Sequence, residues 1–204
     1  IPALGDDVLG AVRSDTGVLL PITDSDGEVW FVLGPCGDVQ IEPAGTAMVV
    51  GAQHVVLDPG QGDDDAGQVN LAVAERAAAL LAADGVVVAL TRTGGAEISE
   101  ATRGAGGPAV GAAVFVSIQR GDNTGRVSEE APRPTVFHRA DDANSRRLAG
   151  LLHDELATAF DTLAGPFVAQ DEPGVRPLLN QRGEDYFGVL RASEGVAAAR
   201  AELL

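Results

Sequence analysis

The chain has 204 residues, 45% of them hydrophobic, and a formal charge of −16. Such a chain can bury one good core plus a small additional module, and it is not disordered. All fourteen basic residues are arginine, and no Lys/Arg-rich run could neutralise a row of phosphates, which makes nucleic acid and anionic membrane poor partners. No stretch of about 18 apolar residues occurs, so no part of the chain is expected to span a bilayer. The single cysteine, Cys36, cannot form an internal disulfide; with no His or Cys near it in sequence, it is expected to be a small buried thiol. The chain opens at Ile1 without a basic-then-apolar leader, so any targeting segment is expected to lie outside it.

Residues 1–52 consist of short apolar runs punctuated by turn residues: "GVLLPIT", "DSDG", "EVWFVLG", "PCGD" and "VQIEP". This texture predicts a small all-β module of hairpins, loosely SH3-like, with Asp26 and Gly27 in a turn. Trp30, Phe31 and Val32 are expected to form its core. From residue 53 to 204 strands and helices alternate. "HVVLDPG", "VVVALTR" and "AAVFVSI" read as buried strands. "VNLAVAERAAALLAADG" reads as a helix stopped at Gly85. "DDANSRRLAGLLHDELATAF" is the clearest helix, with Leu148, Leu151, Leu152, Leu156 and Phe160 on one stripe. "VAAARAELL" reads as a last strand. The predicted class is α/β, a twisted mixed sheet with helices on both faces behind the small β module. In such folds ligands collect where strands end.

Five stretches, "VVLDPGQGDDDAG", "NLAVAERAAALLAADGVVVALTR", "AAVFVSIQRGDN", "SRRLAGLLHDEL" and "FGVLRASEGVAAARAEL", occur in an order and at distances that resemble the zinc-dependent N-acetylmuramoyl-L-alanine amidases of bacterial cell walls. The resemblance covers roughly residues 54–204. It implies a peptidoglycan substrate and an extracytoplasmic location, in the cell envelope or secreted. In that family a histidine after the first strand and another after the third bind zinc with a glutamate, and a further glutamate near the last strand works on the metal-bound water.

Here Gln61 and Gln119 stand at the two histidine positions, and the segment that would carry the metal-binding glutamate is missing between Gly67 and Gln68. Only Glu202 matches the catalytic glutamate, as a vestige, and Arg200 interrupts the apolar strand beside it. Imidazole nitrogen binds zinc well and a neutral amide oxygen poorly, so neither metal nor other cofactor is expected. Asp58 matches the family's turn carboxylate and reads equally well as a cap on backbone amides.

No replacement constellation is apparent. His54 begins a strand at the far edge, His153 lies on a helix, and His138 is the one histidine with a route to the site. Asp63, Asp64 and Asp65 read as a solvated loop, although with Gln61 they offer oxygen ligands to Ca²⁺ or Mg²⁺. Ser117 has no histidine neighbour, against a serine hydrolase. The loops "QRGDNTGRVSEEAPRPT" and "AQDEPGVRPLLNQRGEDYFG" are expected to flank a groove, where Arg120, Arg182 and Arg191 could pair with a carboxylate. The leading expectation is a catalytically inactive amidase homologue that binds peptidoglycan or a cell-envelope protein. The alternative is an active zinc amidase cleaving the bond between muramic acid and L-alanine, with the Gly67–Gln68 junction marking omitted sequence. A third reading places the binding in residues 1–52 with the α/β part as scaffold.

Overall fold

A computed structural model of the chain describes residues 10–44, 48–61, 64–120, 127–128, 134–163, 167–168 and 174–203. The N-terminal part is a five-stranded antiparallel sheet of β1 (Ala11–Arg13), β2 (Leu19–Ser25), β3 (Val29–Leu33), β4 (Val39–Pro43) and β5 (Met48–Val50), in the order β4-β3-β2-β1-β5. The hairpin between β2 and β3 closes as expected. Gly27 takes φ 93°, and the Asp26 carboxylate accepts the amides of Glu28 and Val29. Of the expected core residues Val32 is fully buried, with Val12, Val18, Leu20, Ile22 and Ile98, while Trp30 packs half-buried at the margin and Phe31 is also only half-buried. Cys36 is exposed rather than buried, because it sits in the tight turn between β3 and β4.

The second sheet has six strands in the order β12-β10-β13-β8-β6-β7. These are β6 (Val55–Pro59), β7 (Val88–Leu90), β8 (Val114–Arg120), β10 (Thr135–His138), β12 (Gly174–Arg176) and β13 (Ala197–Leu203). Strands β7, β6, β8 and β13 are parallel; β10 runs against β13 and carries β12 parallel to itself, so the sheet is mixed. A separate two-stranded ladder joins β9 (Val127–Ser128) to β11 (Phe167–Val168).

Helices cover both faces. On one lie α1 (Asp64–Ala83) and α3 (Ala143–Phe160), packed on Leu57, Val116, Ile118, Val136, Ala199 and Ala201. On the other lie α2 (Glu100–Ala109) and α4 (Gly188–Ala192), over a core of Val56, Phe115, Phe137, Val189, Leu190 and Ala198 that also contains Ala11 and Leu19 of the first sheet. Backbone bonds from Leu19 to Thr91 and from Gly10 to Ala109 tie the two sheets together. Helix α1 begins at Asp64, so Gly67 and Gln68 lie inside a continuous first turn, and Asp64 and Asp65 belong to that helix rather than to a loop. Gly85 ends the segment at φ 80°. The α3 stripe is formed by Leu148, Ala149, Leu152 and Leu156; Leu151 faces solvent, 59% exposed.

Helix α2 was not anticipated, because each Gly in a helix interior costs about 1 kcal/mol relative to Ala and its sequence is EATRGAGGPA. It forms because Ser99 caps it, accepting the amide of Thr102, and because its glycines allow close approach. A Cβ on Gly104 would lie 2.3 Å from the Val189 carbonyl oxygen, whereas a Cβ on Gly150 of α3 would meet nothing. Helix propensity favours alanine at both positions. Gly104→Ala is therefore expected to destabilise the protein by about 1–3 kcal/mol, and Gly150→Ala to stabilise it by about 0.5–1 kcal/mol, as measured by urea denaturation.

Candidate functional site

Side chains alternate along a strand, so Asp58 on β6, Ser117 and Gln119 on β8, and Arg200 and Glu202 on β13 all project to the face covered by α2 and α4. The register sets Asp58 beside Ser117, Ser117 beside Arg200, and Gln119 beside Glu202. The apolar residues of this face, Val56, Phe115 and Ala198, lie toward the other end. The polar ones thus gather where β6, β8 and β13 terminate.

Asp58 is fully buried. One oxygen accepts the Thr91 hydroxyl at 2.6 Å; the other accepts the Ser117 hydroxyl and Arg103 Nη1, both at 2.8 Å. It therefore caps side chains, and the expected bonds to backbone amides are not its role. Arg103, supplied by α2, is the member that sequence reading missed; the signal available was an arginine in an otherwise uncharged run. Its Nε has no hydrogen-bond partner among the described residues. Ser117 is committed on both sides, donating to Asp58 and accepting Gln119 Nε2 at 2.9 Å.

The two glutamines diverge. Gln119 is buried and folds over Gly60, where an added Cβ would fall 1.9 Å from the amide. Gln61 turns toward residues 96–98: its Nε2 donates to the Ala96 carbonyl at 2.6 Å, and its Oε1 accepts the Ile98 amide at 3.0 Å. Arg92, also buried, organises the same turn by donating to the carbonyls of Pro59, Gly60, Gly67 and Gly94.

Arg200 contacts Glu202 Oε1 through Nε at 3.3 Å and Nη2 at 3.2 Å. Its guanidinium lies 4.1 Å from the Phe187 ring centroid, and Phe187 packs on Phe137 at 4.9 Å. Burial lowers the pKa of Arg200, and the charges of Glu202, Glu100 and Asp58 oppose that shift. Arg200 is thus a partner of Glu202, not an interruption of the strand.

Other sequence candidates lie elsewhere. His138 is buried opposite Ala199, on the α3 face and away from Gln119 and Glu202, sharing a 2.8 Å hydrogen bond with the Arg139 carbonyl; strand alternation turns it from the site. His54 accepts the Val87 amide at the start of β6, and His153 is on α3 beside Asp154. Arg120 ends β8 on the opposite face from Gln119. Arg191 donates to the carbonyls of Asp185 and Tyr186, and with Arg182, Leu179 and Tyr186 it lines a cavity of about 490 Å³. Asp63 and most of the loop after Arg120 fall outside the described residues. Among those described, no three His, Cys, Asp or Glu side chains are grouped to hold a metal.

Zinc does not fit this donor set. Amide oxygens are weak ligands for it, both atoms of the Gln61 amide are bonded to backbone, and the Glu202 carboxylate is held by a guanidinium. With three donors converging on Asp58, Asp58→Ala would strand the Arg103 charge and is expected to cost about 3–5 kcal/mol. Ser117→Ala should cost about 1 kcal/mol, both read by chemical denaturation.

The sequence profile of the N-acetylmuramoyl-L-alanine amidases matches residues 55–196. That stretch contains Gln61 and Gln119 and stops short of Glu202. Cwp6 from Clostridium difficile superposes with a TM-score of 0.59 at 19% identity over 74% of this chain, which spans about a quarter of that longer protein, 24%. The N-acetylmuramoyl-L-alanine amidase from Clostridium difficile 630 gives 0.56 at 22% identity, covering 75% of this chain and 80% of the other. The CwlD amidase from Clostridioides difficile, solved in complex with the GerS lipoprotein, gives 0.54 at 17% identity over 74% and 81%. At these identities the structures show a shared fold. No curated protein sequence matches significantly.

Proposed function

The chain belongs to the N-acetylmuramoyl-L-alanine amidase family, and from that premise we propose that it is a non-hydrolytic member, acting in the cell envelope by binding peptidoglycan or a protein associated with it. The observation that carries this reading is the pair of glutamines where the family resemblance places zinc ligands, with the Gln61 amide consumed by the 96–98 loop. Amide hydrolysis by this family's chemistry needs a metal to bring the pKa of water from about 16 toward 7 and to polarise the carbonyl. Glu202 alone supplies neither, and its negative charge is already opposed by Arg200.

Binding is supported by what remains. The cavity lined by Arg182, Glu184, Tyr186 and Arg191 offers the Arg182 guanidinium for a carboxylate and an aromatic ring, 57% exposed, for a sugar face, while Arg191 braces the Asp185 and Tyr186 carbonyls. One fold relative, the CwlD amidase, was solved in complex with the GerS lipoprotein, which supports including a protein among the partners proposed here. No described helix is long and apolar enough to cross a membrane.

The test uses purified protein with muropeptide and added zinc, and separately with intact sacculi. Stem-peptide release is expected to stay at the level of a protein-free control, while sacculi retain the protein in a pull-down. Zinc-dependent release, abolished by chelator, would refute the proposal.

A further inference from the structure

We propose that the open edge of β4 is a self-association surface, and that the strand it accepts is β4 of a second copy of this chain, antiparallel and centred on Ile41. Strand β4 pairs with β3 alone, so its other side is the margin of the N-terminal sheet. The Gly34 amide donates to the Asp38 carbonyl and the Ala44 amide to the Glu28 carbonyl, which fixes the phase of that pairing. Antiparallel strands bond at alternate residues, so Gln40 and Glu42 turn their backbone groups to β3, while Val39 and Ile41 turn theirs to the open side. Edge amides and carbonyls of this kind are a template for a further strand. Pro43, which has no N–H, falls at a position whose N–H β3 does not use.

The side chains agree with the backbone. The register sets Val29, Phe31 and Leu33 of β3 beside Pro43, Ile41 and Val39 of β4, an apolar face shared by both strands. On β4 that face is bare, with Val39 and Ile41 each 62% exposed. The other face of β4 presents Gln40 and Glu42. The strand, VQIEP, complements itself when the pairing is centred on Ile41. All its residues then find a counterpart: Val39 meets Pro43, Ile41 meets its own copy, and Glu42 meets Gln40. Gln40 Nε2 donates one hydrogen to Asp38 at 3.2 Å and has a second for that carboxylate. Centred on Gln40, the pairing would set Asp38 against Glu42; centred on Glu42, it would set that residue against itself; a half-step shift would put polar residues opposite apolar ones. Centres further out leave part of the strand without a counterpart. A charge of −16 on each copy opposes association at long range, so the contact has to be made where acids do not face each other, and the Ile41-centred register meets that condition.

The test begins with sedimentation of the whole chain. At about 100 µM, where small interfaces associate, the expected mass is twice the 20.8 kDa of the monomer. Added NaCl screens the net charge and is expected to shift the equilibrium further toward the dimer. Ile41→Lys puts a charge on the edge at a largely exposed position, and is expected to return the monomer mass with an unchanged circular dichroism spectrum and melting temperature. Oxidative cross-linking in a Cys36→Ser background reads the register. Ile41→Cys is expected to give a disulfide-linked dimer, because directly opposed residues fall within disulfide reach; Gln40→Cys is expected to give none, because its own copy lies on the diagonal, beyond about 7 Å. A protein that stays monomeric, a dimer that survives Ile41→Lys or is weakened by salt, or cross-linking at position 40 in preference to 41 overturns the proposal.

Discussion

Asp58 is a carboxylate withdrawn entirely from solvent, and a buried charge persists only when it is paired and its lone pairs are used. Its three donors come from beyond the end of β7, from β8 and from α2. The demand for Arg103 fixes α2 over this face of the sheet. There α2 must approach α4, Phe115 and Leu19 closely, which is why Gly104, Gly106 and Gly107 occupy its inner positions. Thr102 of the same helix donates to the carbonyl of Gly34 at 2.7 Å, and Ser99 to Pro35 through its backbone. Attachment of the N-terminal sheet is thus linked, through one glycine-rich helix, to satisfying one carboxylate.

The parts of this arrangement legible in the sequence are those written in hydrophobic period. The runs that become β6 and β8 are continuous apolar stretches of strand length, α1 is apolar around most of its surface, and the stripe of α3 follows from helical spacing. Helix α2 breaks the rule, since glycine lowers helix propensity and the helix exists only because tertiary contacts reward the lack of side chains. His138 and Arg120 show a second limit: a residue's position along the chain locates it near a strand end, whereas its face depends on register, and one step of alternation turns it away from the site. Gln61 and Gln119 were identifiable from motif position, but not that one would join a loop and the other lie on Gly60. Cys36 misled because burial statistics for cysteine say nothing about a tight turn.

Hydrogen bonds from Arg92 and Asn70 organise the end of β6. A metal centre depends on deprotonated ligands and on ion supply, so loops shaped by one are conditional on both. Guanidinium stays charged at any accessible pH and directs five donors in a fixed plane. Arg92 spends its donors on the carbonyls of Pro59, Gly60, Gly67 and Gly94, and Asn70 adds a bond to Gly60. The backbone that carries Gln61 is held by these contacts.

The close approach at Gly60 joins the end of β6 to β8. Its missing side chain is occupied by the Gln119 amide to within 1.9 Å of where a Cβ would be, so even alanine at position 60 would displace Gln119 and, through it, the hydroxyl of Ser117 that serves Asp58. Gln119 thereby couples the surface of the cleft to its buried ion pair. The Gln119 amide is placed by packing on Gly60 and by its bond to Ser117.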